Sequence, residues 1–206
     1  SRPKGFERQT VNKVAVLGAG MMGAGIAYVA AKAGIDVVLL DTSIENANQG
    51  KQYSEKLLDK AISCGRSNAT KKAALLSKIQ TTTSYNDIAG CDLVIEAVFE
   101  NRDIKAKCTE QAEAIIPESA VYASNTSTIP ITSLAVASKR PTQFIGLHFF
   151  SPVDKMPLVE IIMGAQTDDA TLAKAFDFVL QIGKTPIVVN DSRGFYTSRV
   201  FGTYVS

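Results

Sequence analysis

The chain has 206 residues, 46% of them hydrophobic, and a formal charge of +2, which is enough apolar material for one sizeable core or for one domain plus part of another. So small a charge, with its Lys and Arg scattered, argues against nucleic acid or an anionic membrane as the main partner and leaves a small-molecule ligand. Cys64, Cys91 and Cys108 are odd in number and lack CxxC spacing, which speaks against disulfides or zinc and fits reduced, cytoplasmic surroundings.

Residues 1–12, "SRPKGFERQTVN", are polar and unlike a signal peptide, so they are expected to be a linker or N-terminal extension. No run approaches the roughly 20 apolar residues of a membrane span. From Lys13, short β-branched runs alternate with helical patterns: "KVAVLG", "DVVLLD", "DLVIEAV", "AVYASN", "QFIGLHF", "LVEII" and "TPIVVN" read as strands. The alternation predicts an α/β fold, a Rossmann-type doubly wound, mostly parallel sheet over residues 13–190. Strands that are apolar throughout suit a sheet covered by helices on both faces.

Ile26, Val29, Ala30 and Ala33 form one helical stripe, and Leu172, Ala175, Phe176 and Val179 another. Ser43 or Thr42 can cap a long helix ending near Ser63, and a short helix follows from Thr70. After "VVND" the pattern changes, and "SRGFYTSRVFGTYVS" predicts a helix from about Gly194. Residues 191–206 are therefore expected to open a further, helical domain that the sequence cuts short.

"VAVLGAGMMGAGIA" sets Gly18, Gly20 and Gly23 in G-x-G-x-x-G spacing between a strand and a helix. Gly18 allows the tight turn, Gly20 lets backbone approach a pyrophosphate, and Gly23 lets helix and strand pack closely. The helix start at Met21 and Met22 offers amides to the anion. Asp41 ends the second strand, where a ribose-binding acid belongs, and no Arg follows at once to accept a 2′-phosphate. NAD is favoured over NADP, with FAD a weaker alternative.

In open α/β sheets, ligands sit beyond the carboxyl ends of the strands. "IEAVFENRDIK" brings Glu96, Ala97, Glu100 and Lys105 there, either as cofactor contacts or as the acid-rich start of a solvated helix. "SNTSTIPI" brings Asn125 and Ser127, the latter either a contact or a cap for a helix beginning near Pro130. "GLHFFSPV" brings His148, the only histidine. Glu160 shares a strand face with Leu158 and Ile162, where an unpaired charge is costly. His148 can partner it, either as a structural pair or as a carboxylate-oriented imidazole that handles a proton.

Together "VLGAGMMGAGIA", "VIEAVFE", "SNTSTIPI" and "GLHFFSPVDKMPLVEII" resemble the 3-hydroxyacyl-CoA dehydrogenase family from Lys13 onward, the last segment most specifically. The resemblance implies NAD-dependent oxidation of L-3-hydroxyacyl-CoA to 3-ketoacyl-CoA in fatty-acid β-oxidation. It implies His148 as general base, Glu160 as its electrostatic support, and Ser127 beside the substrate hydroxyl and cofactor. Glu100 and Lys105 would line the nicotinamide half of NAD, and Ser54 and Lys60 would lie near CoA.

Two positions depart from the family pattern. Ser198 stands in "GFYTSR", and Ser151 in "HFFSPV", where Asn is usual, so the catalytic and nicotinamide contacts they supply are expected to be rearranged. The family continues into a helical domain that dimerises and closes the acyl-CoA site, so a homodimer is expected through that part. The polar opening resembles the segment joining a hydratase/isomerase half to a dehydrogenase half, implying a multifunctional enzyme with hydratase or thiolase partners. A single-function 3-hydroxybutyryl-CoA dehydrogenase and a non-catalytic NAD-binding module remain as alternatives.

Overall fold

All seven apolar runs become strands of one eight-stranded sheet in the computed structural model, which describes residues 1–191. The strands are β1 Lys13–Leu17, β2 Asp36–Leu40, β3 Ile79–Thr82, β4 Leu93–Glu96, β5 Val121–Ser124, β6 Phe144–Phe149, β7 Leu158–Met163 and β8 Thr185–Asn190, in the order β3-β2-β1-β4-β5-β6-β7-β8. Neighbours are parallel except β6 and β7, which pair antiparallel. The order reverses at β1, so the crevice for a ligand opens between the ends of β1 and β4. Sequence patterning passed over β3, whose text "IQTT" carries two threonines and a glutamine on a sheet edge.

The helices are α1 Met21–Lys32, α2 Ile44–Ser63, α3 Ala69–Ser77, α4 Arg102–Glu113, α5 Ile131–Leu134 and α6 Asp169–Gln181. Continuous apolar strands follow from the two cores they separate. Val14 and Val16 of β1 pack with residues of α1, α2 and α6, while Ala15 and Leu17 pack with α4 and α5. Ser43 caps α2 by accepting from the Asn46 amide, as expected. Asn68, Asn101 and Asp168 do the same for α3, α4 and α6. Ala33 departs from its stripe: it is the exposed C-cap of α1, where the helix has already ended.

The polar opening lies along α6. Arg2 pairs with Asp177 at 2.7 Å, the Gln9 amide donates to the same carboxylate, and Val11 exchanges two hydrogen bonds with the Gln181 side chain. Among the described residues no helix is long and apolar enough to cross a membrane. The helix expected from Gly194, and Ser198 within it, lie outside the described residues.

Candidate active site

The turn from β1 into α1 shows why each glycine stands where it does. Gly18 has φ +95°, and a Cβ there would lie 2.6 Å from the Ala97 carbonyl oxygen. A Cβ on Gly23 would lie 1.7 Å from the Gly18 oxygen, a backbone atom that cannot yield. Gly20 differs: its backbone suits any residue, and a Cβ would meet nothing within 4 Å. Its smallness therefore serves the open space beyond it. The amides opening α1 have no side-chain cap and its first turn carries no acid, so the dipole and free donors face that space.

Asp41 frames the same space. Its Oδ2 accepts from the Ala19 amide at 2.7 Å and its Oδ1 from the Thr42 amide at 2.6 Å, fixing the carboxylate against the glycine loop. Met21 is 70% exposed beside it, whereas Met22 packs partly against the core. Ser151 comes back over the loop, its hydroxyl 3.7 Å from the Met21 sulfur. An uncapped helix start, an open glycine and an oriented acid fit a dinucleotide.

At the end of β4, Glu96 and Lys105 are buried together at 2.6 Å, and Lys105 also reaches Glu100 at 3.1 Å. The sequence expectation placed Lys105 against a cofactor. Its side chain is instead 2% exposed, its ammonium directed at Glu96, Glu100 and the Val98 carbonyl, so its influence on a ligand passes through Glu100. Glu100 in turn accepts from Thr126 and Thr128, the residues flanking Ser127. Burial works to raise the Glu100 carboxyl, but these two hydroxyls and the Lys105 ammonium hold it below its ordinary value.

Ser127 is exposed in the turn after β5 and does not cap α5. That helix is tied down by Asp191, which accepts from the Ile131 and Thr132 amides. Asn125 accepts from the Phe149 amide at 2.8 Å and so fixes the turn after β5 against β6.

His148 and Glu160 face each other in register across β6 and β7. The imidazole Nδ1 lies 2.9 Å from Glu160 Oε1, and the side chains are 20% and 28% exposed. Phe150 covers one side of the ring at 4.7 Å between centroids. A carboxylate accepts from Nδ1–H, so the geometry leaves the lone pair on Nε2, which has no partner among the described residues. The antiparallel pairing does the positioning, because cross-strand partners share one face.

The expected CoA contacts divide. Ser54 faces inward from α2, fully buried and without a hydrogen-bond partner among the described residues, so it cannot meet a ligand. Lys60, on the next turns, lines a cleft of about 720 Å³ between α1, α2, α3 and the loop after β6. Lys32, Arg66, Lys71, Lys78 and Lys155 line it as well, against Asp154, the one acid lining it among the described residues. Sequence reading missed this cluster because its cations are scattered along the chain. It also passed over Lys184, which holds the loop after β6 by donating to the Val153 and Met156 carbonyls.

Residues 13–192 match the family model for the 3-hydroxyacyl-CoA dehydrogenase NAD binding domain. The fatty acid oxidation complex subunit alpha of Colwellia psychrerythraea is 45% identical over 196 residues, covering 95% of this chain and 27% of that protein. The (S)-3-hydroxybutyryl-CoA dehydrogenase PaaH1 from Ralstonia eutropha shares the fold with a TM-score of 0.89 at 42% identity, over 93% of this chain and 68% of that one. The dehydrogenase part of multifunctional enzyme 1 from C. elegans gives 0.81 at 28% identity, over 97% of this chain and 46% of that one.

Proposed function

The chain belongs to the 3-hydroxyacyl-CoA dehydrogenase family through its NAD-binding domain, and from that premise we propose that it is the cofactor- and base-bearing part of an enzyme oxidising L-3-hydroxyacyl-CoA to 3-ketoacyl-CoA in fatty-acid β-oxidation. The observation that carries this reading is the His148–Glu160 pair, 2.9 Å apart across β6 and β7 of the sheet whose β1 leads into the glycine loop. Oxidising a secondary alcohol removes a proton from oxygen and a hydride from carbon. NAD, when bound, supplies the hydride acceptor. The residues of the chain do the rest.

In this reading His148 Nε2 takes the 3-hydroxyl proton as the C3 hydride departs, and Glu160 stabilises the imidazolium that forms. Ser127, held between two threonines on Glu100, hydrogen-bonds near the substrate hydroxyl and cofactor. Gly18, Gly20, Met21, Met22 and Gly23 take the pyrophosphate and Asp41 the ribose. Ala97, Glu100 and Ser151 border the nicotinamide half, with Lys105 behind Glu100. Lys60 and its cationic neighbours suit the phosphorylated end of CoA. Ser198, outside the described residues, keeps the catalytic role that the family resemblance implies for it.

The whole enzyme is proposed to be a cytoplasmic homodimer, joined through a helical domain and working with hydratase or thiolase activities. The 45% identity to a fatty acid oxidation complex subunit favours this multifunctional setting. The 42% identity to a dedicated (S)-3-hydroxybutyryl-CoA dehydrogenase favours a single-function enzyme as the second reading. The test is consumption of NADH with acetoacetyl-CoA by the enzyme that contains this chain. Turnover that disappears in His148→Gln supports the proposal; binding of NAD without any turnover would make the chain a cofactor-holding module.

A further inference from the structure

Glu96 is the most deeply placed acid of the site, 1% exposed at the end of β4. Its Oε1 accepts from Ser124 of β5 at 2.8 Å, and its Oε2 from Lys105 at 2.6 Å and from the Val98 amide at 3.0 Å. Among the described residues Lys105 is the one cation in contact with it, and that same ammonium also serves Glu100. Two carboxylates thus share one ammonium, leaving a cluster of net charge −1 whose outer acid reaches solvent with 39% exposure.

Had the protein needed only to satisfy Lys105, Glu100 alone would suffice, and a buried second carboxylate is costly to retain. What Glu96 adds is charge. With it, the Glu96–Lys105 pair beneath Glu100 sums to zero, so the negative charge of Glu100 remains as the net charge of the cluster among the described residues.

We infer that Glu96 is a positioning residue that keeps the Glu96–Lys105–Glu100 cluster net negative, and thereby raises the site's affinity for the oxidised, cationic nicotinamide relative to the reduced, neutral one. The inference rests on the proposed cofactor reading, in which the nicotinamide lies between the ends of β4 and β6 so that hydride can reach it from a substrate on His148. Oxidised and reduced cofactor differ by one positive charge on that ring. A fixed negative charge nearby therefore acts on their affinity difference and leaves their shared contacts alone.

The experiment measures dissociation constants for NAD⁺ and NADH on the same protein, NADH by its fluorescence and NAD⁺ by competition. Glu96→Gln keeps the shape and sets the cluster to zero, and the ratio Kd(NADH)/Kd(NAD⁺) is expected to fall about fivefold, the scale of one partly screened charge. The double variant Glu96→Gln with Lys105→Met removes opposite buried charges together and is expected to hold the ratio within about twofold of the parent. Glu100→Gln, at the solvent end, removes one negative charge without a buried change and shifts the ratio in the same direction as Glu96→Gln, so the comparison stands even if that variant does not fold. An unchanged ratio in Glu96→Gln, or in Glu100→Gln where the first does not fold, overturns the inference while leaving the cofactor reading intact. So does a double variant that behaves like Glu96→Gln. Failure of the unaltered protein to bind either nucleotide overturns both.

Discussion

Replacing Glu160 by Gln isolates the charge of the proposed acid from its hydrogen bond. The amide oxygen can still accept from His148 Nδ1, which now lies 2.9 Å from a carboxylate oxygen. What disappears is the attraction between carboxylate and imidazolium once the proton has arrived. Two unit charges roughly 4 Å apart interact by about 4 kcal/mol at an effective dielectric of about 20. The side chains are 20% and 28% exposed, and such access to solvent screens the value to about 2 kcal/mol. That corresponds to a roughly 30-fold loss of kcat. His148→Gln removes the base itself and should cost about 100- to 10,000-fold. Neither residue touches the glycine loop, so NAD⁺ affinity should stay within about twofold of the parent. Steady-state NADH consumption with acetoacetyl-CoA, on the enzyme containing this chain, reads kcat; equilibrium titration reads the affinity. If Glu160→Gln turns over at the parent rate, the imidazolium is not formed in the rate-determining step and the proposed proton transfer is wrong.

The glycine loop gives a paired test: Gly20→Val should leave the thermal midpoint nearly unchanged because its Cβ meets open space, yet weaken NAD⁺ more than about tenfold. Gly23→Ala, whose Cβ would press on the Gly18 carbonyl, should instead lower the midpoint itself; equal effects of the two on melting and binding would contradict this division. Charge removal in the basic cleft by Lys60→Ala with Arg66→Ala should raise KM for acyl-CoA with kcat little changed, an effect that vanishes at high salt. A KM indifferent to both substitutions would place the CoA elsewhere. Burial works to raise the Asp177 carboxyl, but hydrogen bonds from Arg2 and the Gln9 amide, with the nearby positive charge, hold it below its ordinary value. A depressed carboxylate stabilises docking above its unfolded value of about 4 and loses that contribution as pH falls through the lowered one. Asp177→Asn should therefore speed hydrogen exchange at the Gln9 and Val11 amides near neutral pH, and acid should do the same to the parent below about pH 4; unchanged exchange in the variant would show that the opening is held by its other contacts.

Much of the fold was legible because its signals are local. "VLGAGMMG" must turn tightly between a buried strand and a helix, and only glycine tolerates the φ of +95° at Gly18 and the 1.7 Å approach at Gly23. "QFIGLHF" and "LVEII" are apolar runs interrupted by one ionisable group each, and antiparallel register brings those two interruptions face to face. Glu96 interrupts "LVIE" in the same way, so the signal that pointed to Glu160 was present there too. Ser54 was expected near CoA through the family resemblance alone, which carries no information about the way α2 turns its residues, and here that serine faces the core.

Taken alone, the sequence determined the strands it wrote in apolar text, the nucleotide turn, the acid at Asp41 and the likeness to one enzyme family, since each depends on residues a few positions apart. Tertiary structure decided what depends on packing across the sheet. It put Lys105 beneath Glu100 instead of against solvent, gathered Lys32, Lys60, Arg66, Lys71, Lys78 and Lys155 into one cleft, and laid the polar opening along α6. The physical reason is range: backbone geometry and hydrophobic period are set by near neighbours, whereas the burial and pairing of a charge are set by whichever distant residues the fold brings beside it.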